Sequence, residues 1–223
     1  MPKRSRSVTV TELLVTTAAG AALILAVKAA YPGASAPAWL VPAFFLYAPL
    51  LAVLVTDRDF AAVGLNPPES KKAALDIVLF AAVVLPLFLI SWWALAKYFL
   101  GFDFNYRLPG KIFSLALWQV AGVALPEELF FRGWMQKRID TLLGGRFTAF
   151  GAVIGPGLFI SAVVFALFHF LSRPAPVSLL VFFPGMLFGL FRERTGSVLV
   201  PVVTHALANI TFLVAQSMAG YSF

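Results

Sequence analysis

The sequence predicts an all-α protein, a polytopic transmembrane helical bundle of about seven to eight spans, and two observations support this prediction. First, 61% of the 223 residues are hydrophobic, only 12% are charged, and the mean hydropathy is +0.90. A soluble globular domain has about 45–50% apolar and about 25% charged residues, so a soluble enzyme is excluded. Second, apolar runs that approach the roughly 20 residues needed to cross a bilayer recur along the whole chain. The chain has no cysteine, which also excludes a disulfide-stabilised scaffold.

Polar residues and Pro/Gly breaks divide the chain into seven apolar runs, which we interpret as membrane spans. They cover residues 10–30, 38–56, 74–100, 112–131, 150–171, 176–191 and 197–217. The connectors contain pairs that end helices, such as Pro32-Gly33 and Thr195-Gly196. Because no repeat, low-complexity linker or shift in composition interrupts the pattern, we predict a single integral-membrane domain over residues 1–223. A re-entrant or eighth helix could lie within residues 132–157.

The basic residues predict the partner and the orientation of the bundle. The net charge is +7, from 17 Lys and Arg against 10 Asp and Glu, but the basic residues punctuate apolar runs instead of forming one hydrophilic face. We therefore expect a lipid bilayer and no nucleic acid as partners, and we predict that the protein lies in the plasma (inner) membrane. With a cytoplasmic N-terminus, twelve of the 17 basic residues lie on the cytoplasmic side, which favours that orientation. Seven spans then place the C-terminus outside, and an eighth would reverse this. The sequence does not indicate an oligomeric state.

Two adjacent glutamates lie in the fourth apolar run, where ionisable side chains are costly and are functional candidates. They are Glu127 and Glu128, and Arg132 follows them. Glu128 and Arg132 are four residues apart, so on a helix they share a face and can form an ion pair. Glu127 is rotated by about 100° from Glu128 and lacks this partner. A carboxylate left free in a low-dielectric setting can act as a general base. The alternative is a structural ion pair at a helix end, with Glu127 exposed to lipid headgroups.

Both histidines of the chain lie in later apolar runs. His169 ends the motif Phe165-x-x-x-His169, and His205 begins the motif His205-x-x-x-Asn209. A lone histidine on an apolar helix is often only hydrogen-bonded packing. In the second motif, however, the imidazole and the amide project from one stripe of a helix, and both can donate hydrogen bonds to a single oxygen. With the carboxylates, these residues form the inventory of a hydrolytic site: a base, a water-orienting imidazole and oxyanion donors.

Three motifs together resemble the CPBP family of glutamic intramembrane proteases, the CAAX prenyl endopeptidase type II and bacteriocin-processing family. They are Glu127-Glu128-x-x-x-Arg132, Phe165-x-x-x-His169 and His205-x-x-x-Asn209. The motifs occur in the family's order over about residues 118–212, within a motif-bearing core of about 112–217. The resemblance implies that Glu128 and Arg132 hold the first motif in place.

The resemblance also implies the catalytic roles. Glu127 would be the general base that activates water, assisted by His169, and His205 and Asn209 would stabilise the oxyanion. The site would need no metal and no other cofactor. The substrate would be a membrane-associated protein or peptide: a C-terminal anchor or sorting segment, a prenylated protein or a bacteriocin-type precursor. Among these possibilities, we favour a sorting protease of the myxosortase type.

Three other functions remain open. Two His and a Glu could supply three zinc ligands, but the chain has no His-Glu-x-x-His helix and no cysteine. A proton-coupled transporter could use buried Glu and His as a relay, but no inverted repeat is evident. A non-enzymatic membrane immunity or scaffold protein would not need every residue of a catalytic type.

The seven spans do not place the motif residues at one depth. Ideal spans put Glu127 towards the cytoplasmic end of its helix, His205 about a third of the way in, and His169 near the outer end. We therefore expect the fourth helix to cross deeper and to continue beyond residue 131 to about residue 137. Pro126 is expected to kink this helix beside the site.

Overall fold

The computed structural model describes residues 5–32, 36–56, 60–99, 101 and 111–219, and the statements below concern these residues. This part of the chain is almost entirely helical. Its seven main helices are α1 (Arg6–Ala30), α2 (Leu40–Thr56), α3 (Ser70–Phe99), α4 (Ile112–Leu143), α5 (Pro156–Ser172), α6 (Phe182–Thr195) and α7 (Leu199–Met218). Two short 3-10 helices, Phe60–Val63 and Pro176–Val181, precede α3 and α6.

The long helices α3 and α4 are each interrupted by two π turns. The successive parts of α3 are α-helical Ser70–Leu79, the π turn Phe80–Val84, α-helical Leu85–Ala94 and the π turn Leu95–Phe99. Those of α4 are α-helical Ile112–Trp118, the π turn Gln119–Ala124, α-helical Leu125–Glu128, the π turn Leu129–Gln136 and α-helical Lys137–Leu143.

The apolar helices confirm the all-α class and the membrane-protein prediction. By length and composition, five helices can cross a membrane: α1, α3, α4, α7 and the segment Pro176–Thr195 that ends with α6. Helices α2 and α5 are apolar but shorter. Each of the seven predicted runs overlaps one of the seven main helices of the described chain, whereas the count of seven to eight membrane spans stays a prediction.

The fifth predicted run, 150–171, begins too early. An antiparallel hairpin precedes the helix, with strands β1 (Phe147–Ala149) and β2 (Ala152–Ile154), and its turn uses positive φ angles at Phe150 and Gly151. Hydropathy alone cannot assign such a short apolar run to a strand or a helix. Helix α5 begins only at Pro156, a residue suited to the first helical position. The described residues between α4 and α5 therefore contain no additional helix.

Helix α4 continues to Leu143, which confirms the expected extension beyond residue 131. The short α-helical part with Pro126, Glu127 and Glu128 lies between its two π turns. A proline donates no backbone hydrogen bond, and a π turn immediately before it accommodates the missing bond. The two glutamates thus lie where the backbone departs from regular α-helix, which is frequent at functional sites.

One face of α4 carries a polar side chain at every fourth residue, and all four residues are buried: Glu128, Arg132, Gln136 and Asp140, here called the polar stripe. Their side chains form hydrogen bonds to α5, α6 and α7. The stripe therefore ties α4 to three other helices. Asp140 lies beyond the expected end of this helix at about residue 137, and it joins the stripe because α4 continues through it.

Two glycines of α6 let this helix approach the polar stripe closely. Arg132 Nη2 donates to the carbonyl of Gly185 at 3.2 Å, and Gln136 Nε2 donates to the carbonyl of Gly189 at 3.2 Å. A Cβ atom at Gly189 would lie 2.9 Å from Gln136 Oε1. Any larger residue there would push the helices apart. Small residues four apart are a common means of close packing between membrane helices.

Contacts between α4 and α5 define their antiparallel register. Asp140 Oδ1 accepts a hydrogen bond of 2.7 Å from the backbone at the N-terminus of α5. Further along, the guanidinium of Arg132 lies 4.2 Å from the ring centroid of Phe165. Moving one further helical turn along both helices brings Glu128 to the level of His169. The extension of α4 thus brings the first two motifs to one depth.

One end of the bundle gathers several helix termini and the hairpin. Trp134 Nε1 of α4 donates to Glu12 Oε1 of α1 at 3.0 Å. Arg194 Nε at the end of α6 lies 2.9 and 3.0 Å from the two carboxylate oxygens of Asp76 in α3. Arg194 also donates to the carbonyl of Phe150 in the hairpin. We call this the basic end, after Lys137, Arg138, Arg146, Arg192 and Arg194. That it faces the cytoplasm stays a prediction.

Asp140→Ala is expected to destabilise the bundle. The change removes the acceptor for the backbone N–H of Gly157 in the first turn of α5, and loss of such a cap costs about 0.5–2 kcal/mol. Thermal unfolding in detergent should show a lowered Tm. Thr141→Ala removes an exposed hydroxyl one residue away and is the matched control, expected to leave the Tm nearly unchanged. Equal Tm values for the two variants would contradict the capping role.

Candidate active site

The carboxylate of Glu128 forms the centre of the site. Its Oε1 accepts a hydrogen bond from Arg132 Nη1 at 3.0 Å and lies 2.8 Å from His205 Nδ1. The side chains of Glu128 and Arg132 are fully buried, at 0% exposure. The ion pair predicted from their spacing is therefore present. The contact with His205 was not predicted, because it joins residues of α4 and α7 that are distant in the sequence.

Aromatic rings enclose the guanidinium of Arg132. Its Cζ lies 4.2 Å from the ring centroid of Phe165 and 5.6 Å from that of Phe188. A cation over the face of an aromatic ring is attracted by the ring's quadrupole. With Nη2 bound to the carbonyl of Gly185, the arginine is fixed on several sides. Its charge is thus committed to supporting Glu128 inside the bundle.

His205 is held in one orientation by its neighbours. Its ring stacks on Phe188 at 5.0 Å with an interplanar angle of 17°, and it meets Phe165 edge-on at 6.0 Å. Because an ionised carboxylate only accepts hydrogen bonds, Nδ1 carries the proton that it donates to Glu128. The other ring nitrogen, Nε2, faces Glu127 Oε2 across 3.9 Å. That gap is too long for a direct hydrogen bond.

Glu127 lies beside these groups without sharing their ion pair. Its side chain is 16% exposed, and its buried Oε2 atom has no hydrogen-bond partner. This agrees with the expectation that the rotation between adjacent residues separates Glu127 from Arg132. Glu128 Oε2 is also buried without a hydrogen-bond partner, so Glu127 differs from Glu128 in having no ion pair with Arg132.

His169 lies on the other side of Phe165. Its Nδ1 donates to the carbonyl of Phe165 at 3.0 Å, and its ring lies 4.3 Å from the Phe165 ring. The Phe165 ring therefore touches both imidazoles. No hydrogen bond joins these two described residues, His169 and Glu127. With Nδ1 as the donor, a neutral His169 presents Nε2 as an acceptor.

Asn209 lies one helical turn beyond His205 on α7, and its Nδ2 donates to Gln119 Oε1 of α4 at 2.9 Å. Sequence reasoning missed Gln119. The sequence could have indicated Gln119, because it is an uncharged polar residue within the same apolar run as Glu127. The ring of Phe188 was missed as well, and nothing in its apolar surroundings marks it.

Within the described ranges, no three His, Cys, Asp or Glu side chains are grouped so that they could hold a metal ion. The carboxylate of Glu128 contacts Arg132 and His205, whereas His169 binds the carbonyl of Phe165 and Asn209 binds Gln119. The fold and the site together define a polytopic helical membrane protein with a carboxylate and imidazole centre inside its bundle.

Residues 109–211 match the family model described as type II CAAX prenyl endopeptidase Rce1-like. All seven residues named in the three motifs lie in this segment. The match covers the region that carries the motifs and confirms its resemblance to the CPBP family, a resemblance that implies protease activity. No curated protein and no solved structure matches the chain. The myxosortase subtype stays a prediction.

Glu128→Ala is expected to destabilise the protein strongly. It removes the partner of both Arg132 and His205, and an uncompensated charge inside a protein costs about 3–5 kcal/mol. The measurement is thermal unfolding in detergent, with Glu127→Ala as the matched control. Glu127→Ala should keep the wild-type Tm, since Glu127 shares no ion pair with Arg132. A Tm loss that is equal in the two variants would contradict the assignment of support to Glu128.

Proposed function

We propose that this protein is a glutamic intramembrane endopeptidase that hydrolyses a peptide bond of a membrane-associated protein without a metal ion. One observation carries the proposal: Glu127 Oε2 is buried, lacks a hydrogen-bond partner and faces His205 Nε2 across 3.9 Å. A water molecule bound beside Oε2 would touch a carboxylate able to take its proton. The protease activity implied by the family supports the same conclusion.

Glu127 acts as the general base. It removes a proton from the water as the water oxygen attacks the scissile carbonyl carbon, which gives a tetrahedral intermediate. His169 assists by accepting a hydrogen bond from the same water at Nε2. When the intermediate collapses, the C–N bond breaks, and the protonated Glu127 returns its proton to the leaving amine.

His205 and Asn209 stabilise the oxyanion. They project from α7 one turn apart, and each can donate a hydrogen bond to one oxygen. To donate from Nε2 while Nδ1 is bound to Glu128, His205 must carry both ring protons. The carboxylates of Glu127 and Glu128 lie on either side of the imidazolium and, together with Arg132, balance its charge.

The substrate is a membrane-associated protein whose C-terminal segment reaches into the bundle. Glu127 lies midway along α4, so the scissile bond must enter the apolar layer. The family description favours a prenylated C-terminus, and a sorting or anchor segment or a bacteriocin-type precursor would present similar chemistry. We place the protein in the plasma (inner) membrane, with its N-terminus in the cytoplasm.

Glu127→Gln is expected to abolish proteolysis without unfolding the protein. The amide keeps the shape of the side chain but cannot take a proton from water. The assay follows cleavage of an S-farnesyl-cysteine peptide with three C-terminal aliphatic residues by protein in vesicles, and Tm is measured on the same preparation. Glu69→Gln, at an exposed glutamate near the start of α3, is the matched control and should retain activity.

An active Glu127→Gln protein would refute the mechanism. The wild-type protein should also remain active with EDTA or phenanthroline, because a carboxylate and imidazoles need no cation for this chemistry. Stoichiometric zinc that is lost together with activity would favour the metalloprotease alternative instead.

Asn209→Ala is expected to lower kcat by about 10²–10³ with little change in KM, since an oxyanion donor acts mainly in the transition state. Asn209→Asp should be at least as damaging, because it places a negative charge or a lone pair against the oxyanion. Both kcat and Tm should be measured on one preparation. Wild-type turnover in a protein that melts early would show that Asn209 only packs helices through its bond to Gln119.

A further inference from the structure

The amide of Asn209 has a hydrogen-bond partner to which the proposed mechanism gives no role. Asn209 Nδ2 of α7 donates to Gln119 Oε1 of α4 at 2.9 Å, and both side chains are half-buried. An amide nitrogen carries two hydrogens. The bond to Gln119 uses one of them and leaves the other for a second acceptor. Asn209 can therefore donate to an oxyanion while Gln119 holds its amide.

A distortion of α4 brings Gln119 to α7. Gln119 lies nine residues before Glu128, and nine residues of regular α-helix turn through about 900°. The two side chains would then project from opposite sides of α4, yet both contact α7. The π turn Gln119–Ala124 lies between them and winds less per residue, which rotates Gln119 towards α7. This π turn thus supplies Asn209 with its acceptor.

The contact between α4 and α7 does not depend on the amide pair. Ala124 of α4 packs against Val202 and Ala206 of α7 in a buried apolar cluster. The hydrogen bond between Glu128 and His205 joins the same two helices. A single bond between two half-buried neutral amides adds little to the stability of such an interface. Helix packing alone therefore gives no strong reason for a glutamine at this position.

The orientation of the Asn209 amide decides whether it helps or opposes the reaction. An amide that is turned over presents Oδ1 in place of Nδ2. A carbonyl oxygen beside an oxyanion repels it, whereas an N–H group that already points at it stabilises it without reorganisation. With Gln119 Oε1 facing Asn209, the reversed orientation would oppose two acceptor oxygens and is disfavoured.

We propose that Gln119 is a positioning residue, whose Oε1 atom orients the amide of Asn209 so that its second N–H is available to the reacting oxygen. This inference rests on the proposed function, in which Asn209 is an oxyanion donor. Gln119 itself touches neither the substrate nor the attacking water. Its effect on the reaction passes entirely through Asn209.

The test is a double-mutant cycle of Gln119→Met and Asn209→Ala, with cleavage of the S-farnesyl-cysteine peptide by full-length protein in vesicles. Methionine nearly keeps the size of the side chain but removes the acceptor. Gln119→Met alone should lower kcat by about 10–10² with little change in KM, because a misplaced group costs rate rather than substrate binding. In the Asn209→Ala background the same change should lower kcat by less than about twofold, since its only target is gone.

Two further variants complete the experiment. Gln119→Asn stays polar but withdraws its acceptor by one methylene group, so it should also lower kcat if Gln119→Met fails to fold. Gln216→Met makes the same substitution at another half-buried glutamine, two turns beyond Asn209 on α7, and should keep the wild-type kcat. Tm is measured on every preparation, so that turnover is compared between folded proteins.

The outcomes separate this inference from the proposed function. Losses of kcat that multiply in the double variant would overturn the positioning role, because Gln119 would then act on the reaction without Asn209. A lowered Tm with wild-type kcat in Gln119→Met would overturn it in favour of helix packing. Either result leaves the proposed function intact as long as Asn209→Ala alone lowers kcat. Wild-type kcat in Asn209→Ala would instead contradict the oxyanion role on which both proposals rely.

Discussion

The position of the whole site depends on one buried carboxylate oxygen, Glu128 Oε1. It binds Arg132 Nη1 at 3.0 Å and lies 2.8 Å from His205 Nδ1, and all three residues belong to apolar helices. Ionised groups are tolerated in such surroundings only when they are paired, because each costs several kcal/mol to desolvate. Sliding α7 along α4 by one residue would break the contact and leave buried charge behind. This constraint defines the helix register more sharply than apolar packing does, and it sets the level at which His205 and Asn209 lie beside α4.

The π turns of α4 keep its polar side chains on one face. Each residue of an α-helix turns by about 100°, so a spacing of four drifts by about 40° at every step. Over the twelve residues from Glu128 to Asp140 the drift would carry the last side chain away from the partners of the first. A π turn has i→i+5 hydrogen bonds and winds less per residue, and the turn Leu129–Gln136 offsets the drift. The π turn that follows the segment with Pro126 therefore keeps the four side chains of the polar stripe on one face of α4.

Local relations were predictable from the sequence, and relations between helices were not. The apolar runs predicted where the main helices lie, and the spacing of Glu128 and Arg132 predicted their ion pair, because both features act within a few residues. The contact of Glu128 with His205 depends on how α4 and α7 pack, which no local pattern encodes. The extension of α4 was expected to about residue 137, whereas the helix ends at Leu143, and the contacts of Gln136 and Asp140 with other helices were not predicted. The hairpin was missed because apolar residues form strands and helices alike.

The adjacent glutamates lie at the same level of one helix in different surroundings. Arg132 and His205 both contact Oε1 of Glu128, whereas Glu127 forms no ion pair with Arg132 and faces His205 Nε2 across 3.9 Å. In the proposed mechanism, Glu127 loses its negative charge when it takes the proton of water, and the oxyanion gains that charge in the same step. The charge moves by a few ångströms past His205, so an imidazolium there always has a neighbouring anion. The low-dielectric bundle never has to create an isolated charge, and the donors need no reorganisation as the transition state forms. A site of this kind can therefore work inside a membrane, where separating charge from neutral groups would be prohibitive.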